Sequence, residues 1–367
     1  MDKQKEQLLD LINSALWGTP AHAELFGEGT DWNALYQTAK EQACLGLAFQ
    51  GFSTLPNDKK PNRILLLKWY GFVAEMENQY NHHLEILGQA FQLFGKERPI
   101  LMKGLSVAAL YPNPKIRHLG DIDLLLPEMD GKEMQKLLRS KGFDVDSCPH
   151  TDKHIGIDLK GVEIELHWEI GKPLNPFHHK TYKMLERQAT KITREETIGE
   201  VKVNLLPLEF NAIALLIHMV EHFIGKGLGL RQICDWTLFL DKYHSKMDHN
   251  LLKEMLNELG MMNDWQLFSN FCVNNLGLNK EAAIFYSESK TKKAQKLSEV
   301  VFAFGNFGEY NPVWKSRPSA FLKRKMEALK GNIEHFLRVF STSPSNALFN
   351  IFYFYPIDAF NRLKNRK

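Results

Sequence analysis

Cysteine is scarce in this chain of 367 residues. The four, Cys44, Cys148, Cys234 and Cys272, lie too far apart for a zinc knuckle and are too few for a disulfide scaffold. Long apolar runs are lacking too. No stretch approaches 18 uninterrupted apolar residues, and the best candidates, 64–73 and 213–223, are broken by Lys68 and by His218, Glu221 and His222. The opening MDKQKEQLLDLINSALWG has the spacing of an amphipathic helix and no apolar h-region, so no signal peptide is read there. Nor is one sign of charge in excess. Lys and Arg number 46 against 43 Asp and Glu, a formal +3, which is not the footprint of a dedicated nucleic-acid binder. No internal repeat or low-complexity tract stands out. These absences set the expectation of a soluble, cytoplasmic protein from a reducing compartment, with no membrane span.

What is present divides into three. Residues 1–97 read as an N-terminal helical region: Leu8, Leu9, Leu11, Ile12, Ala15 and Leu16, then Trp32, Leu35, Tyr36 and Ala39, recur at helical spacing. A loop at 51–62 follows, and then a long helix from Arg63 to about Lys96. Residues 98–207 change rhythm. The short run 100–102 ends near Gly104; 106–111 is compatible with a helix; strands are read at 121–127, 143–148, 155–160 and 162–170, with a helix at 130–142. A strand at 201–206 closes the sheet. Residues 208–367 are nearly all helical, at 209–224, 231–243, 250–259, 264–276, 292–304 and 322–341. The predicted fold class is α+β, a small mixed sheet flanked by an N-terminal helical segment and a C-terminal helical domain. The aromatic tail 346–367, basic at its end, reads as a helix docked on the body, since Pro356 interrupts any long interfacial helix.

The chemistry concentrates in the middle third. Asp121 and Asp123 stand at i and i+2 at the head of an apolar strand. Period two puts both carboxylates on one face, with Ile122 and Leu124 on the other. Two like charges held so close repel, and without a cation one of them has a raised pKa. A pair of Mg²⁺ ions removes that penalty, because Mg²⁺ takes one or two carboxylates and completes its shell with substrate phosphates. A third carboxylate comes from the run 162–168, where Glu163, Glu165 and His167 alternate with Val162, Ile164, Leu166 and Trp168. Upstream, Gly104-Leu105-Ser106 joins a strand to a helix start, where glycine lets the backbone approach a phosphate and free N–H groups attract it. Together these describe two-metal phosphoryl or nucleotidyl transfer.

The combination resembles the polymerase-β-like nucleotidyltransferase superfamily and, more narrowly, a family of uncharacterised bacterial nucleotidyltransferases. Lys103-Gly104, Arg117, Asp121-Ile122-Asp123-Leu124-Leu125 and Glu165-Leu166-His167-Trp168 follow that family's order, and His218, His222, Arg231 and Asp235 are similar to its later helix. The resemblance covers the middle of the chain, from about 98 to 240. It implies a Mg²⁺-dependent enzyme with two metal ions, moving a nucleoside monophosphate from an NTP, ATP first among them, to a hydroxyl acceptor and releasing pyrophosphate. Asp121, Asp123 and Glu165 would hold the metals and carry catalysis. Lys103, Gly104, Ser106 and Arg117 would contact the phosphates, and His167, His222 and Arg231 the nucleotide cleft. A small-molecule or protein acceptor fits the near-neutral charge better than a polynucleotide. Two positions differ from the commonest family pattern: the turn is Gly-Leu-Ser, and Glu165 stands where aspartate is usual. They motivate a second reading, a non-catalytic nucleotide- or partner-binding module on the same fold.

Three lesser signals compete. His218, Glu221 and His222 fit the pattern of inverted zinc peptidases, without an identifiable third ligand. Gly225-Lys226-Gly227-Leu228-Gly229 follows a helix and reads as its stop, although Lys226 could reach a triphosphate. Asp235 lies four residues after Arg231, the spacing of a helical salt bridge. The pairs His82-His83 and His178-His179 read as surface residues.

Overall fold

The computed structural model describes residues 2–149, 151, 153–225, 227–306 and 321–354. Lys226 and the basic end of the tail lie outside the described residues.

Helical spacing near the N-terminus produces three short helices. In α1 (Lys3–Trp17) Asp2 caps the start and Gly18, with φ 66°, ends it. α2 (Trp32–Glu41) and α3 (Leu45–Ser53) follow. α1 and α3 cross closely at Gly51, where a Cβ would overlap the Leu11 carbonyl. α4 (Arg63–Phe94) runs for 32 residues from an Asn62 cap. Its first half puts Leu65, Trp69 and Val73 into one hydrophobic core, and its second half puts Ile86, Leu87, Ala90 and Phe94 into another.

That second core lies against a mixed six-stranded sheet, so the fold class is α+β. The strands are β1 (Ile100–Leu101), β2 (Ile122–Leu125), β3 (His154–Leu159), β4 (Val162–His167), β5 (Arg194–Ile198) and β6 (Val201–Leu205), in the order β3-β4-β2-β1-β6-β5. β2 runs parallel to β4 and β1 parallel to β6; the other neighbours are antiparallel. Between strands come α5 (Leu105–Ala108), a single turn, α6 (Gly131–Ser140) and α7 (His179–Ala189). α6 carries a capping box, Asp130 with Glu133, and buries Met134 and Leu138 in the sheet-side core.

The C-terminal helices are α8 (Leu208–Gly225), α9 (Leu230–Tyr243), α10 (His249–Glu258), α11 (Met262–Leu276), α12 (Thr291–Phe304), α13 (Phe321–Phe340) and α14 (Pro344–Phe349). They share the larger core with α1–α3. Trp17 Nε1 donates to the Leu276 carbonyl at 2.7 Å and Asn13 Nδ2 to the Asn275 carbonyl at 3.1 Å, so the first helix is bolted to α11. By length and composition α8 is apolar enough to cross a membrane, but 67% of it is buried inside the protein, as in a core helix.

Several elements differ from the sequence expectations. Residues 143–148 form no strand. Val145–Ser147 is a turn of 3-10 helix in which Ser147 Oγ donates to the Asp144 carbonyl, the local bonding by which Asp and Ser compete with extended pairing. α7 and β5 were not expected. β5 buries only Ile198 of its five residues, so its polarity hides the strand, and α7 buries only Tyr182, Glu186 and Ala189. His83 is buried rather than at the surface, its ring bridging the Gln79 and Gly120 carbonyls at 2.7 Å each.

Candidate functional site

Strand geometry assembles the carboxylates. Asp121 directly precedes β2, and Asp123 lies within it on the same face. The parallel register of β2 with β4 sets Glu165 directly opposite Asp123. One oxygen from each of Asp121, Asp123 and Glu165 lies within 4.8 Å of the others. Asp123 is only 1% exposed, and a buried charge needs partners. Two arrive at one oxygen: Lys103 Nζ at 3.1 Å and His167 Nε2 at 3.0 Å from Oδ1. His167 Nε2 also lies 3.0 Å from Glu165 Oε2. Asp123 Oδ2, by contrast, is buried with no partner among the described residues.

The electrostatics follow from this uneven sharing. Burial, and then the neighbouring Asp123 carboxylate, raise the Asp121 carboxyl to about 6. Burial also works against ionised Asp123, but Lys103 and His167 prevail and hold it well below the usual carboxylate range. Glu165 follows the same logic, with burial outweighed by the His167 hydrogen bond. For His167, burial opposes the charged form, while its bonds to Asp123 and Glu165 raise it. Lys103 stays charged because Asp123, Asp121 and Glu165 more than offset its burial.

These groups form one wall of a cleft of about 520 Å³ between the sheet and helices α8 and α9. Such a volume lies in the range of small-molecule sites. His218, His222 and Arg231 line the opposite wall. The His218 and His222 rings meet edge to face at 4.3 Å, and burial pushes the His218 imidazole well below its ordinary value. Neither joins a three-ligand group among the described residues.

The phosphate-turn residues divide. Gly104 lines the cleft with φ 67°, and a Cβ on it would stand 3.4 Å from the Asp121 carbonyl. Ser106 turns its hydroxyl back to the Met102 carbonyl, closing its own turn. Arg117 reaches the cleft edge, but its guanidinium grips Asp235 at 2.9 and 2.7 Å, and Tyr111 donates to the same carboxylate at 2.7 Å. The partner of Asp235 is therefore Arg117, across 118 residues, rather than Arg231 one helical turn away. Arg231 instead donates to the His118 carbonyl at 2.8 Å. With His83 on Gly120, it pins the strand approach to Asp121.

Sequence reasoning passed over His154. It stands directly across from His167 in the β3–β4 hairpin, its Nε2 3.4 Å from Glu165 Oε1. A signal was available: the Lys160-Gly161 turn, with both φ values positive, centres the hairpin and fixes that pairing.

The donor set suits a hard divalent cation, since three carboxylates converge and a buried oxygen among them has no partner among the described residues. Among solved structures, the chain is similar to the crystal structure of an antigenic nucleotidyltransferase-like protein from Paracoccidioides brasiliensis. That similarity has 14% identity, covers 58% of this chain and 96% of the other, and has a TM-score of 0.33. No curated protein matches the chain. A family model described as uncharacterised nucleotidyltransferase matches residues 28–275, more than half of the sequence. The chain belongs to that uncharacterised nucleotidyltransferase family.

Proposed function

We propose that this protein is a cytoplasmic, Mg²⁺-dependent nucleotidyltransferase of the polymerase-β-like kind. It moves a nucleoside monophosphate from an NTP, ATP being the first donor to test, to the hydroxyl of a small-molecule or protein acceptor. The observation that carries this reading is the meeting of Asp121, Asp123 and Glu165 at a cleft wall, with Asp123 Oδ2 buried and without a partner among the described residues. Mg²⁺ held by these carboxylates, two ions in the full arrangement, supplies charge neutralisation to the triphosphate. Lys103 adds a cation beside them, and Gly104 keeps the backbone open to a phosphate. Glu165 is placed to take the acceptor hydroxyl's proton. The acceptor oxygen bonds to the α-phosphorus, the bond to the bridging oxygen breaks, and pyrophosphate leaves. Positioning in a confined cleft accounts for the rate.

The test is the melting temperature with ATP, GTP, CTP and UTP, with and without Mg²⁺, on the wild type and on Asp123→Asn. Ligand linkage at about one hundred times Kd contributes roughly 2.7 kcal/mol. A Mg²⁺-dependent upward shift, lost in the variant and accompanied by pyrophosphate release with an acceptor, is expected. No shift with any nucleotide would overturn the reading. The non-catalytic alternative draws on one observation, the Lys103 and His167 contacts that already neutralise Asp123. It predicts nucleotide binding without pyrophosphate release.

A further inference from the structure

Beside the all-oxygen group lies one of different chemistry. We propose that His154, Glu165 and His167 form a second metal site, selective for a borderline transition-metal dication of the Zn²⁺ or Co²⁺ class over Mg²⁺. Its part in turnover rests on the nucleotidyltransferase reading, because it shares Glu165 with that site.

The topology makes the site. Antiparallel pairing sets His154 of the edge strand directly opposite His167, with ring centroids 4.8 Å apart. Glu165 precedes His167 by two residues and so projects from the same face of β4. One ligand atom from each of the three residues lies within 4.8 Å of the others. His167 Nε2 is 3.0 Å from Glu165 Oε2, and His154 Nε2 is 3.4 Å from Glu165 Oε1. With metal–ligand bonds of about 2.0–2.1 Å, adjacent donors of an octahedral or tetrahedral ion stand roughly 3.0–3.4 Å apart. Both imidazole nitrogens thus stand at about that spacing from an oxygen of the one carboxylate that lies between them.

Two further observations point to a ligand. Asp123, 1% exposed, has its Oδ1 3.0 Å from His167 Nε2, and its Oδ2 is buried without a partner among the described residues. In both histidines Nε2 turns towards the carboxylates, while Nδ1 is buried without a partner among the described residues. Access is open, since His154, Glu165 and His167 all line the cleft. Two imidazoles and one carboxylate suit Zn²⁺ or Co²⁺, whereas Mg²⁺ favours oxygen donors alone.

The experiment is a titration of chelator-stripped, full-length protein with Co²⁺ in excess Mg²⁺, read by the visible d–d absorption of the bound ion. One equivalent with nitrogen-ligand bands, displaced by Zn²⁺, is expected. His154→Gln and His167→Gln should each weaken Co²⁺ binding by at least roughly tenfold, while Asp121→Asn, outside this group, keeps the bands. Melting curves without metal confirm that the variants fold; His154, on an edge strand, decides the question if His167→Gln does not. Absent bands, binding indifferent to both histidines, or full competition by Mg²⁺ would overturn the inference. If the bands fail while the Mg²⁺–ATP melting shift holds, only this inference falls. If the bands appear and no nucleotide shifts the melting temperature, the site stands and the nucleotidyltransferase reading falls.

Discussion

Glu186 shows how one carboxyl can report on the cleft from behind. It accepts the Ile170 N–H at 2.7 Å, and Ile170 lines the cleft. Burial raises its carboxyl to about 7, against the lowering effect of that same hydrogen bond. A carboxyl with a raised folded pKa contributes stability that is fully present below its unfolded value near 4.5 and lost as pH rises through about 7. Glu186→Gln keeps an acceptor for Ile170 and removes the ionisation. The variant should melt higher than the wild type at pH 8, by on the order of 1–3 kcal/mol, with the difference fading toward pH 5. Equal melting at pH 8 would show that Glu186 ionises freely. At this scale Asp121, Asp123 and Glu165 were legible because a strand alternates sides by geometry alone. His154 was not, because its place depends on hairpin register. Arg117 and Asp235, 118 residues apart, meet only through tertiary folding.

Among the elements, the α1–α3 crossing depends on one missing methyl group. Gly51 has φ compatible with any residue in a helix, so its requirement is space against the Leu11 carbonyl. Gly51→Ala should therefore cost about 1–3 kcal/mol, the usual price of overpacking, despite alanine's better helix propensity. A denaturant midpoint at or above that of the wild type would refute the close approach. Long amphipathic helices such as α4 and α8 announced themselves through period and length. β5 did not, because its buried partners are few and its exposed residues, such as Glu195, are polar. The segment 143–148 misled because Phe143 and Val145 alternate like a strand, whereas Asp144 and Ser147 close a local turn instead.

At the scale of the molecule, the Arg117–Asp235 pair joins the approach to β2 to the helical wall. Its charged atoms are 2.7 Å apart and both side chains are almost fully buried. Arg117→Met leaves a buried carboxylate with only Tyr111, and should destabilise by about 3–5 kcal/mol; Arg117→Met with Asp235→Leu should recover much of that loss. Thermal melting of the single and double variants checks both, and equal losses would show that packing, not charge, carries the contact. The helices on either side of the sheet segment, read as separate regions in the sequence, share one core. That sharing was illegible because amphipathic faces show that they need a partner without naming it.

The α1–α11 contact also sets a clock for the newborn chain. Trp17 donates to the carbonyl of Leu276, 259 residues later. At roughly 5–20 residues per second, on the order of 10–50 s pass between the synthesis of the two. Through that interval α1 can lean on α3, but the side facing α11 stays uncovered, an apolar surface for a chaperone to hold until the second half emerges.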